Sequence, residues 1–198
     1  MTPRTVAFLS LLVMFTAVYG SATFYFTSPR PAQPFIAWGI YSELGLLSEY
    51  VPGSNLTVSV NQTLNWHFQI TNRMGVVQFV RVVYRIGNTT SIAPSATQAA
   101  ETIPEVGRSE KFIPNLSVSQ IGFSWRVLSI PPGDPVKPLF EIDGQTVQSE
   151  IGSASGREFV LFFELWTFDI PTGSFQYGWK KEGAREGSWL QFAFYIST

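Results

Sequence analysis

The chain has 198 residues, 45% hydrophobic and 15% aromatic, with 13 basic side chains, 14 acidic side chains and no cysteine. The missing cysteine excludes disulfides, thiolate metal sites and cysteine nucleophiles. A net charge of −1 gives no electrostatic footprint for nucleic acid or for a strongly acidic partner.

The amino terminus carries an uncharged apolar run from Thr5 to Phe26. About 20 residues of helix cross a bilayer core, so the run is long enough to span one. Phe24, Tyr25 and Phe26 stand at its end, where aromatic rings favour the lipid–water boundary. Pro29, Pro31 and Pro34 follow, and proline does not continue a helix. The expected organisation is a membrane anchor over 1–27, a proline-rich stalk over 28–34 and an extracytoplasmic domain over 35–198. Gly20-Ser21-Ala22 also has the small-residue pattern of signal cleavage, which leaves open a secreted chain beginning near Thr23. Arg4 precedes the run and Arg30 follows it; with the terminal amine, the count slightly favours a cytoplasmic N-terminus and a single pass. Asn55, Asn61, Asn88 and Asn115 each open an Asn-x-Ser/Thr sequon and are four of the six asparagines, as in a glycosylated outer domain. The same residue types also favour turns.

Beyond Pro34, short runs of Val, Ile, Phe, Tyr and Trp alternate with Gly, Pro, Asn and Ser clusters, the pattern of an all-β antiparallel sandwich. A first strand is expected over Phe35–Tyr41, a turn of helix over Glu43–Tyr50 and a second strand over Leu56–Val60. In Leu64–Thr71 the residues Leu64, Trp66, Phe68 and Ile70 face one way, while Asn65, His67 and Gln69 face the other. After the Asn72–Gly75 turn, Val76–Ile86 returns as its partner. Asn88–Glu110 reads as a long loop with room for one short edge strand. Strands are then expected over Lys111–Val118 and Gly122–Ile130. Leu139–Ile142 and Gln145–Gln148 form a hairpin about Asp143-Gly144. Arg157–Phe168, Phe175–Lys180 and Ser188–Ile196 complete the domain, with Lys180–Gly187 as a loop.

One strand departs from ordinary patterning. Phe159, Leu161, Phe163 and Leu165 share one face of the run; Val160, Phe162, Glu164, Trp166 and Phe168 share the other. Both faces are mostly apolar, whereas a half-exposed strand alternates. Either long loops cover the second face, or Val160, Phe162, Trp166 and Phe168 meet a protein partner, a second copy or a membrane surface.

The order of features resembles a known family. It runs from an N-terminal membrane helix and a stalk to Phe35, Tyr41, Leu44-Gly45, Tyr50 and Asn55-Leu56-Thr57-Val58. Ile70-Thr71-Asn72, Phe163-Glu164-Leu165-Trp166, Phe168-Asp169 and Phe175-Gln176-Tyr177-Gly178-Trp179 follow. This resembles archaeal membrane-anchored proteins grouped as domain of unknown function 1616. The resemblance implies an Ig-like β-sandwich outside the membrane and brings no catalytic residue with it. Many members carry several membrane helices, where this chain has one at most.

Catalytic chemistry has little to work with. His67 is the single histidine, and alternation turns it away from the core. One histidine without cysteine makes no ordinary zinc or copper site. Glu43, Glu49, Glu141, Asp143 and Glu164 offer carboxylates, most of them near turns where acidic residues are common. Tyr177, Trp179 and Trp189 near the Lys180–Gly187 loop have the chemistry to stack on a sugar or lipid, with core packing as the plainer use. The expectation is a non-enzymatic accessory or interaction protein without a cofactor, or else a secreted filament or surface-layer-type subunit.

Overall fold

The computed structural model describes residues 10, 12–21, 23, 33–53, 56–154, 158–181 and 183–197. They fall into two compact units, Met1–Gln33 and Pro34–Thr198. In the first, the described residues between 10 and 23 are helical. Thr16, Ser21 and Thr23 each donate a hydroxyl hydrogen bond to the carbonyl four residues back, at 2.7–2.8 Å. Among the described residues, no helix is long and apolar enough to cross a membrane. Both ends of the expected span, Thr5–Leu9 and Phe24–Phe26, lie outside the described residues, as do stalk residues 28–32.

The second unit is built from two facing sheets. The first holds β1 (Ile36–Tyr41), β3 (Leu64–Asn72), β6 (Ser117–Ser129), β7 (Leu139–Ile142) and β8 (Gln145–Gln148), in the order β1-β3-β6-β7-β8. The second runs β2 (Thr57–Ser59), β13 (Trp189–Ser197), β9 (Glu158–Asp169), β4 (Gln78–Gly87) and β5 (Glu105–Ile113). Along the last third of β9, β10 (Ser174–Tyr177) pairs where β13 has ended. A small hairpin, β11 (Trp179–Lys181) and β12 (Ala184–Glu186), follows. All ladders are antiparallel except that of β2 with β13. The chain crosses between sheets at β1–β2, β2–β3, β3–β4, β5–β6 and β8–β9, with the two-layer antiparallel layout of Ig-like sandwiches.

Strand periodicity builds the core directly. Leu64, Trp66, Phe68 and Ile70 are buried and their intervening neighbours are not. From the facing sheet come Tyr84, Phe163 and Phe194. Phe68 meets Phe163 edge-on at 5.1 Å, Tyr84 meets Phe123 at 4.6 Å, and Trp125 meets Phe194 at 5.0 Å. Such edge-to-face pairs add to the area they bury. The main cluster draws its buried residues from Ile36 to Ile196, so a core without disulfides is assembled within this unit.

Several expectations change. Val76–Ile86 does not return as the partner of Leu64–Thr71: β4 crosses to the other sheet and pairs with β9 and β5, while β3 pairs with β1 and β6. Glu43–Tyr50 is turn and bend rather than helix: Gly45 (φ 74) and Glu49 (φ 56) are left-handed, and Ser42 exchanges backbone bonding with Gly45 and Leu46. Lys111–Val118 is not one strand. Ile113 ends β5, Pro114 has no N–H to continue a ladder, and Leu116 turns the chain at φ 59 into β6. The short edge strand allowed within Asn88–Glu110 is β5, a long strand that begins at Glu105. The Lys180–Gly187 loop contains the β11–β12 hairpin. It folds back tightly because Gly178 (φ 71) lies against the Glu186 carbonyl and Gly187 against Tyr177, where a side chain would collide.

Trp66→Ala or Phe68→Ala is expected to cost about 3–5 kcal/mol in chemical denaturation. His67, half-buried and stacked on Tyr41 at 5.4 Å, loses only a partly solvated contact on replacement by alanine. Equal losses at all three positions would contradict the alternation of β3.

Candidate functional site

The doubly apolar strand is β9. Its inner residues Phe159, Leu161, Phe163 and Leu165 belong to the main core. Its outer residues Val160 and Phe162 are only 7% and 2% exposed, because Ala100 and Ile103 of the β4–β5 loop pack on them with Ile151 alongside. What holds that loop down is polar. The Glu164 carboxylate, fully buried, accepts the Ala100 N–H at 2.5 Å on one oxygen. Its other oxygen accepts Arg85 Nε and Trp166 Nε1, each at 3.1 Å. Arg85 in turn donates Nη1 to the Ile103 carbonyl. Two further bonds fix the loop's earlier part: Tyr177 Oη donates to the Ser95 carbonyl at 2.9 Å, and Gly187 N–H to that of Ala96 at 2.7 Å.

This corrects the interface expected from sequence. Val160 and Phe162 are closed by the chain's own loop and offer no surface to a partner. Trp166 and Phe168 are half-buried. Trp166 lies on Tyr177 with ring centres 5.7 Å apart, and burial, followed by the Glu164 charge, pushes the Tyr177 phenol up. Phe168 leads elsewhere, to the end of the sandwich where β4 and β10 begin and β5 and β9 finish.

At that end, Phe79 stacks on Phe112 at 4.2 Å and meets Phe175 at 4.9 Å, while Phe168 meets Phe175 at 5.4 Å. Arg81 places its guanidinium 3.8 Å above the Phe175 ring and pairs with Glu110 at 2.6 Å, closing one side. The other side is open: a groove of about 470 Å³ lies between Val76, Val77, Phe79, Phe112, Phe168 and Ile170. Ile170 is 85% exposed and Phe112 65%. Apart from Phe168, sequence reasoning passed over these residues. A signal was present, since Val76-Val77 and Ile170 occupy turn positions that ordinarily carry polar residues.

The remaining candidates are scattered. Asn61 is exposed at the β2–β3 turn. Asn88 is half-buried, donates Nδ2 to the Gly152 carbonyl at 2.8 Å and caps its own turn through Thr90 and Ser91. Asn115 accepts the Gly75 N–H at 2.9 Å. Asn55 lies outside the described residues. Glu43 and Glu49 line a second pocket, about 200 Å³, beside Tyr50 and Trp66. Glu141 pairs with Arg126 at 2.8 Å. Asp143 turns the β7–β8 hairpin at φ 48 and accepts the Ser124 N–H; burial lifts its carboxyl above the ordinary range against that bond. Among the described residues, no group of three or more His, Cys, Asp or Glu is placed to hold a metal ion. The Tyr177, Trp179 and Trp189 rings are all half-buried, and Trp179 packs against the main core.

Fold and site together define a two-sheet β-sandwich with one closed apolar face and one open apolar end. No family model matches the chain, and no curated protein matches it. Among solved structures it is similar to the CARDB domain of the PF1109 protein from Pyrococcus furiosus, described in complex with di-metal ions. Identity there is 8% and the TM-score 0.40, over 86% of this chain and 95% of that one. It is also similar to the β-glucosidase EmGH1 from Erythrobacter marinus (11% identity, TM-score 0.39, 83% of this chain). A third is a β-glucosidase involved in saponin metabolism from intestinal bacteria (13%, 0.40, 83%). The matched region spans 16% of each glucosidase chain.

Glu164→Ala leaves Arg85 buried without its carboxylate and is expected to cost about 3–5 kcal/mol. Hydrogen exchange should quicken at the Ala100 amide before it does so in β3. Unchanged exchange there would mean that the loop is held by packing alone. Asp143→Asn keeps both the acceptor and the left-handed turn while removing the charge. A folded-state pKa raised above the unfolded one means that the wild-type carboxyl contributes most below the unfolded value and loses that contribution as pH rises through the folded one. The variant's stability relative to wild type should therefore rise as pH climbs from the unfolded carboxyl value of 3.8 through the raised folded one and stay level beyond it, and denaturation curves at acid and neutral pH check this.

Proposed function

We propose that this protein is a non-enzymatic, membrane-anchored sandwich on the outer side of a cell membrane. In this reading it is an accessory or interaction subunit of a membrane or cell-envelope complex. The observation that carries the reading is an uncharged apolar run, Thr5–Phe26, joined to a domain whose core is assembled without it. The hydroxyl bonds of Thr16, Ser21 and Thr23 fit lipid, because a helix there must satisfy its polar groups internally. The run crosses once, with the amino terminus and Arg4 on the cytoplasmic side. Among the described sequons, exposed Asn61 is the glycan acceptor best presented, whereas Asn88 and Asn115 are engaged in their turns. The non-enzymatic reading draws on ion pairing: Glu110, Glu141, Glu164 and Asp169 each face an arginine, and the lone histidine is stacked on a tyrosine. We place the chain with the archaeal family of domain of unknown function 1616 on the residues that carry that resemblance.

A second reading has its own support in Gly20-Ser21-Ala22: cleavage there releases a filament or surface-layer-type subunit. The mass of the native protein separates the two. The anchored protein should keep its first residues and resist alkaline extraction from membranes. A mature N-terminus near Thr23 would overturn anchoring in favour of release.

A further inference from the structure

The open apolar end is organised by one side chain. Asn72, buried at the end of β3, donates Nδ2 to the carbonyls of Val76 and Ile113 at 2.8 and 2.9 Å and accepts the Met74 N–H at 2.9 Å. Its own carbonyl accepts the Leu116 N–H at 2.9 Å. The β3–β4 and β5–β6 turns are thereby tied into one block. The β9–β10 turn lies at the same end, because the register sets the last residues of β9 beside the first of β4. Each turn projects bare hydrocarbon: Val76 and Val77 from the first, Leu116 from the second and Ile170 from the third, with Phe112 between them. Within segments 73–77, 112–118 and 170–173 the only charged residue is Arg73.

The same end receives the chain from its amino-terminal side. β1 begins there, Ile36 opposite Asn72, and the Phe35 carbonyl accepts the Arg73 N–H at 2.9 Å. Exposed Phe35 thus joins the apolar set. Phe26, the last residue of the apolar run, is nine residues earlier, a tether of about 30 Å at most. An apolar end carried on such a tether stays within reach of the bilayer that holds the run.

We infer that this end is a lipid-docking surface: Phe35, Val76, Val77, Phe112, Leu116 and Ile170 seat in the interfacial layer of the anchoring membrane. Side chains carried on separate turns suit a fluid surface, which needs no matching shape. Arg73, exposed on the first of these turns, has an aliphatic stem long enough to keep its charge at headgroup level. Burying this hydrocarbon in the interface orients the sandwich, so that β3 points away from the membrane toward exposed Asn61 at its opposite end. Asn115, held among the docking turns, then stays without a glycan. The inference rests on the anchored reading proposed above.

The test uses the full chain, whose lack of cysteine makes single-site labelling direct. Val77→Cys, Leu116→Cys, Ile170→Cys and, as the far-end control, Asn61→Cys each carry an environment-sensitive dye. Each is reconstituted into phosphatidylcholine vesicles with and without doxyl-labelled phosphatidylcholine. Docking predicts a blue shift and a loss of emission to the doxyl lipid at the first three positions and neither at the control. Protein that floats with the vesicles while all four dyes report water overturns docking and leaves the anchor standing. Dyes that are shielded but unquenched by lipid, in proportion to protein density, would give the surface to a second copy and also overturn it. Protein that fails to float overturns the anchored reading itself, and docking with it.

Discussion

A single buried carboxylate organises the outer half of this sandwich. Glu164 sits within β9 among phenylalanines and leucines, where an unpaired charge would be very costly. Its partners are Arg85 on the adjacent strand, the indole of Trp166 and one backbone amide of the loop above. Arg85 then reaches a carbonyl of that loop. Each group satisfies another, so the network is complete only when the loop is down. Ala100 and Ile103 come down with it and cover Val160 and Phe162. A strand with two apolar faces therefore ends with neither in water along most of its length.

That closure has a limit set by geometry. The loop leaves β4 at Gly87 and covers the far part of β9, beside which β4 ends. It does not reach the other end, where Asp169 finishes β9. There Phe168, Phe175, Phe79 and Phe112 support one another by ring contacts, and the side chains beyond them remain exposed. Asn72 ties this end together: its buried amide bonds the β3–β4 turn and the end of β5, and its main-chain carbonyl takes the Leu116 N–H of the β5–β6 turn. The two apolar regions of β9 thus have different fates: one is internal packing and the other is surface.

Much of the architecture was readable from local chemistry. Alternation from Leu64 to Ile70 matched burial residue for residue, and Asp143-Gly144 turned the β7–β8 hairpin with both residues left-handed. Errors arose where one residue type served two uses. Leu44, Leu46 and Leu47 between polar residues look helical, yet Gly45 takes a left-handed conformation that ends any helix. The apolar residues of Lys111–Val118 read as one strand, although Pro114 and Leu116 belong to a turn. In Lys180–Gly187, glycine and charge suggested a loop; the close approach of Gly178 and Gly187 to neighbouring backbone and ring makes it a hairpin.

The sequence by itself determined the all-β character, the strand faces of the core, the tight hairpin and the uncharged run at the amino terminus. These depend on periodicity, turn chemistry and length, all local properties of the chain. Only the tertiary structure decided which apolar surface is covered. Glu164 and Arg85 are 79 residues apart, and the loop they clamp is 64 residues from Glu164 in its nearest bond. The exposed end likewise gathers Phe35, Val76, Phe112, Leu116 and Ile170 from four separate stretches. Pairing across such distances leaves no periodic trace in the sequence, because it is set by which strands the sheets bring side by side.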